Sequence, residues 1–113
     1  MNREEYAAAS MALYNRPAGR DHPKQKFPRG ARIHVNKEMP PSMRHFESDF
    51  DGIVEYTYAQ KYGGNNVDSY CIVVLDKKGR PIDSISWYHE HQLTLISDDI
   101  AAGLAIIEAY RLG

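Results

Sequence analysis

Cysteine is nearly absent from this sequence. Cys71 stands alone among 113 residues, which excludes an internal disulfide and a cysteine-rich zinc site and suits a reducing compartment. Long apolar runs are missing too: nothing approaches the roughly 20 residues that cross a bilayer. The opening MNREEYAAAS is acidic and helical rather than a basic start with an apolar stretch behind it, so a cytoplasmic location with no membrane partner is expected. Neither sign of charge is in excess. With 14 Lys and Arg against 15 Asp and Glu, and 42% hydrophobic residues, the composition excludes global disorder, and the length allows one domain but not two. There is no GxxxxGK[ST] loop, no GxGxxG and no spaced-cysteine motif, so no cofactor is expected and catalysis is not indicated.

The near-zero net charge conceals a division. Residues 15–32 carry six basic groups against one acidic, whereas residues 33–113 carry seven basic against twelve acidic, a net of -5. The basic stretch also contains Pro17, Gly19, Pro23, Pro28 and Gly30, which predicts an extended linker or arm over residues 15–26. Before it, Asn2 followed three residues later by Glu5 forms a capping pattern, and Tyr6, Ala9 and Leu13 recur at helical spacing, which predicts an N-terminal helix over residues 1–14.

A short strand is expected over residues 31–35, ended by Pro40 and Pro41, with a loop over 37–51. GIVEYTYAQ, residues 52–60, alternates with the two-residue period of a strand and places Val54, Tyr56 and Tyr58 on one face. SYCIVVL, residues 69–75, is an apolar run fit for the middle of a sheet. A turn at 76–80 leads into a strand over 81–88, where Ile85 and Trp87 share a face, and residues 93–96 form a last strand. Ser97, Asp98 and Asp99 then cap a C-terminal helix within residues 97–113, with Ile100, Leu104, Ile107 and Arg111 along one stripe.

The pattern is that of a mainly β chain with flanking helices: a strongly curved five-stranded antiparallel barrel between an N-terminal and a C-terminal helix. FPRGARIHV (27–35), PPSMRHF (40–46), DGIVEY (51–56) and SWYHEHQLTLI (86–96) resemble a bacterial Src-homology-3-like small β-barrel. The similarity covers residues 27–96. It extends to the barrel of the nitrile hydratase beta subunit and to small uncharacterised proteins of phages and mobile elements. ALYN, residues 12–15, resembles the ALYDY signature of eukaryotic signalling Src-homology-3 domains, but here Trp87 is single and the chain ends in HQLTLI and a helix, which sets aside a proline-peptide groove.

Chemistry-bearing residues are sparse. On an extended strand His89 and His91 project to one side about 7 Å apart, the candidate pair for a small metal-dependent enzyme, with no third ligand to complete it. His34, His45, Asp49, Asp51, Cys71, Ser84 and Ser86 include the types of a nucleophilic triad without its spacing. Aromatics are the better lead, because a rigid ring with a polar tip makes a binding plane. The expected partner surface is therefore Tyr56, Tyr58, Tyr62, Trp87, Tyr88 and His89 on the rim, with Arg16, Arg20, Lys24 and Lys26 on the arm. The function expected is a non-catalytic protein-binding module. By the resemblance it is an inhibitor or adaptor of a host complex, such as an anti-CRISPR or other anti-defence protein. The alternative is single-stranded nucleic acid, with the arm on phosphates and the rings on bases.

Overall fold

The computed structural model describes residues 2–15, 21–36 and 50–113. Arg16, Arg20, His45, Asp49 and nearly all of the expected loop over 37–51 lie outside them. Five strands, β1 (Arg32–Val35), β2 (Phe50–Thr57), β3 (Ser69–Leu75), β4 (Pro81–His89) and β5 (Leu93–Ser97), form one antiparallel sheet in the order β4-β3-β2-β1-β5. Helix α1 (Arg3–Asn15) precedes it, α3 (Ile100–Leu112) follows it, and a short helix α2 (Tyr58–Tyr62) separates β2 from β3. No helix among the described residues is long and apolar enough to cross a membrane. Among the same residues β4 and β5 do not pair. The sheet is open there, where a closed barrel was expected, and a 3-10 turn at Glu90–Gln92 links the two edge strands.

Each face of the sheet buries its own cluster. Ile33, Val35, Val54, Tyr70, Ile72, Val74, Ile85, Tyr88 and Leu93, drawn from all five strands, pack with Phe27 and Ala31. Phe50 and Ile100, the first residue of α3, pack against this cluster. Ile53, Val73 and Leu75 point the other way, where Ile107, Leu104 and Ile106 of α3 and Tyr6 of α1 cover them. With both faces covered, all seven residues of β3 are buried, as its unbroken apolar run predicts. Helix α3 reaches the sheet because Gly103 meets Gly30 backbone to backbone: a Cβ on Gly103 would sit 1.7 Å from the Gly30 carbonyl oxygen. Asp99 caps α3 by accepting from the Ala102 N–H at 3.2 Å, and Asn2 caps α1 by accepting from the Glu5 N–H at 2.8 Å.

Two bulges alter the expected faces. In β2, Val54 opposes Ile72 but Tyr56 opposes Cys71, leaving Glu55 as an extra residue. In β4, Ile85 opposes Ile72 but Tyr88 opposes Tyr70, so Ser86 and Trp87 share the place opposite Cys71. Each bulge reverses the alternation beyond it. Val54 and Tyr56 consequently do not share a face, nor do Ile85 and Trp87: Val54, Ile85 and Tyr88 point into the core, while Tyr56 and Trp87 meet outside it. A third departure is α2, which takes residues 58–60 out of the expected strand. Thr57 and Gln60 form a capping box, with the Thr57 hydroxyl accepting from the Gln60 N–H at 3.1 Å and the Gln60 side-chain oxygen accepting from the Thr57 N–H at 2.8 Å.

Candidate functional site

The bulges and α2 together assemble an aromatic cluster. Tyr58 and Tyr62, one helical turn apart, lie with ring centroids 4.8 Å from each other, and the Trp87 ring is 5.3 Å from Tyr58, 6.1 Å from Tyr62 and 6.2 Å from Tyr56. Tyr62 is 60% exposed and Tyr58 39%, whereas Tyr56 and Trp87 are half-buried beneath them. The base of the platform is held firmly, because Gln60 is buried and donates through its amide to the Asp21 carboxylate at 2.9 Å. Lys61 adds a cation that the aromatic pattern alone did not single out. Its ammonium lies 5.3 Å from the Tyr56 ring centroid and 5.5 Å from that of Tyr62. A hydrogen bond with Tyr56 is the main cause raising the Lys61 pKa, and burial raises that of Tyr56.

Beside this open cluster lies a sealed one. Glu55, 3% exposed, receives both arms of the Arg111 guanidinium, one at 2.7 Å from Nε and the other from Nη2. Arg111 also donates to the Ser84 hydroxyl at 3.2 Å, and the buried Cys71 sulfur lies 3.7 Å from Glu55 and 3.5 Å from Ser84. The fork-to-fork pairing raises the Arg111 pKa further and ties the last turn of α3 to β2. Arg29, itself 5% exposed, donates from Nε to the Glu55 carbonyl at 2.9 Å. That bond satisfies a backbone acceptor on the bulged residue. A residue of the basic stretch is therefore an internal pin of the bulge.

The remaining candidates fall elsewhere. Tyr88, expected on the rim, is 1% exposed and packs edge-on to Phe50 at 6.0 Å; the bulge at Ser86 and Trp87 turns it inward. Among the described residues its hydroxyl has no hydrogen-bond partner, and desolvation pushes its pKa up to about 12. His89 ends β4 and His91 lies in the 3-10 turn, so the two are not on one extended strand; their rings are parallel with centroids 5.7 Å apart. They line an open cleft of about 510 Å³ with Lys26, Asp68 and Glu90, and among the described residues no group of three or more His, Cys, Asp and Glu is placed to hold a metal ion. Lys24 and Lys26 are exposed, the latter with its ammonium 5.3 Å from the Phe27 ring centroid. His34 pairs with Asp51 at 2.8 Å between β1 and β2. Asp51 opposes Leu75, four residues along β3 from Cys71 or about 13 Å by strand rise, so this pair and the sulfur belong to separate networks.

No known protein family matches the chain, and neither does any curated protein or solved structure. The chemistry of the site rests on its own geometry.

Proposed function

We propose that this protein is a non-catalytic binding module that docks on a protein partner through Tyr56, Tyr58, Tyr62 and Trp87, carried on an incompletely closed Src-homology-3-like barrel. The return of β5 to pair with β1, and a buried cluster on one face to which all five strands contribute, support the barrel reading. One observation carries the functional reading: four rings gathered on a pinned, partly exposed platform, the kind of rigid aromatic surface that dominates binding energy at protein interfaces. Its extension to an inhibitor or adaptor of a host complex rests on the resemblance of residues 27–96 alone.

The test is affinity capture from cell lysate with identification by mass spectrometry, comparing the intact chain with a Tyr58→Ala/Tyr62→Ala/Trp87→Ala variant shown to be folded. Partners retained by the intact chain are expected to disappear from the variant. Unchanged capture would discard this surface. Because Lys61 stands among the rings, a single-stranded nucleic acid is the second reading, with bases on the tyrosines and a phosphate on the ammonium. Filter binding across a salt series separates the two, since phosphate contact weakens steeply with ionic strength.

A further inference from the structure

We infer that the aromatic cluster is a cation-recognition site whose occupant is an arginine side chain of the protein partner, and that Lys61 holds the place of that guanidinium in the free protein. The inference rests on the binding reading above and names what that surface selects. Ring faces carry the negative part of the aromatic quadrupole, so a surface of four rings favours positive charge. The molecule already shows this preference, with the Lys61 ammonium within 5.5 Å of two ring centroids of the cluster.

Nearby charges leave the rings free to act. Glu55 is neutralised within the protein by Arg111, and Asp21 accepts from the Gln60 amide under the platform. Arginine suits the site better than lysine because its guanidinium is planar, weakly hydrated and stacks on rings, whereas an ammonium is a strongly hydrated point charge. An entering guanidinium competes for the rings with the resident Lys61, an exposed residue that is hydrogen-bonded to Tyr56.

Trp87 is the only tryptophan, so its fluorescence reads the site directly. Three probes are titrated at low ionic strength into the millimolar range: a capped arginine-glycine pentapeptide, the same peptide with citrulline for arginine, and an octathymidylate. The arginine peptide is expected to give a saturable change and the citrulline peptide none. Lys61→Met, which keeps the stem and removes the competing charge, should tighten arginine binding about two- to fivefold, and Tyr62→Ala should weaken it by a similar factor. Equal responses to arginine and citrulline, or no response to either, would overturn the cation assignment. So would binding of the octathymidylate that Lys61→Met weakens, which identifies Lys61 as a phosphate contact. Loss of protein capture in the triple alanine variant without any arginine response would keep the binding module and discard its cation.

Discussion

Glu55 and Tyr56 are neighbours in the chain, both lie beside Cys71, and both owe their direction to the bulge in β2, yet they end in opposite surroundings. Glu55 is sealed under the end of α3 by Arg111, while Tyr56 forms the floor of an open aromatic surface. One backbone irregularity thus serves the attachment of a helix and the display of a ring. The contrast shows that in a sheet with both faces covered, bringing rings to an open surface takes a local break in the alternation. Strict period-two pairing would have sent Tyr56 inward with Val54. The two regions also differ in how they hold charge: the sealed one needs its ion pair, because an unpaired buried carboxylate is expensive, whereas Lys61, an exposed residue, is held by the Tyr56 hydroxyl and the ring faces.

The largest test strikes the sealed side. Arg111→Leu leaves the Glu55 carboxylate buried without its partner and should cost about 3 kcal/mol, at the low end for a broken buried pair. A third of the Arg111 side chain is exposed, which tempers the loss. Denaturant melts should show Glu55→Leu/Arg111→Leu recovering most of that stability; a double variant as weak as the single one would mean that the helix, not the charge pair, is the issue. Next in size is the shared hinge. Arg29→Met removes the donor to the Glu55 carbonyl and should cost about 2 kcal/mol, with altered near-ultraviolet signals from the aromatic cluster as well. Melting at the unchanged temperature would show that the bulge holds itself.

On the open side, Trp87→Ala should cost about 1 to 2 kcal/mol, since its ring contacts are partly solvated, and should leave the far-ultraviolet spectrum intact while abolishing partner capture. Unfolding of this variant would place Trp87 with the core instead. The smallest effect concerns Tyr88, whose hydroxyl is buried with no hydrogen-bond partner among the described residues. Tyr88→Phe should add about 1 kcal/mol at neutral pH by removing an unsatisfied polar group. Its pKa is raised from 10.0 to about 12 in the folded protein, so its neutral form favours folding. That stability is complete below pH 10.0 and is lost as pH rises to about 12, so the wild type should weaken in that window more than Tyr88→Phe. Parallel alkaline melts would assign the loss to other tyrosines.

Much of the scaffold was legible in the sequence. The Asn2 and Asp99 caps, the hairpin at Gly79 with its φ of +81°, the apolar run of β3 and the stripe on α3 are local patterns, and local patterns survive folding. The candidate surface was legible in its residue types and not in its directions. Tyr56, Tyr58, Tyr62 and Trp87 do converge, while Tyr88 belongs to the core and His89 pairs with His91 in another cleft. Thr57 and Gln60, three residues apart, carried the signal for α2 that the strand-like alternation around them obscured. Nothing local marked Lys61, Arg29 or the partnership of Glu55 with Arg111, which joins residues 56 positions apart.

By itself the sequence determined the elements, their caps and the residue types available for binding, because hydrogen-bond geometry and periodicity act over a few residues. Only the tertiary structure decided which rings face water. A bulge is a relation between two strands: one extra residue on β2 and one on β4, both opposite Cys71, turn Tyr56 and Trp87 outward and Tyr88 inward. That reversal arises from cross-strand pairing and from the buried Arg29 that satisfies the bulged carbonyl, neither of which is encoded in any short stretch of the chain.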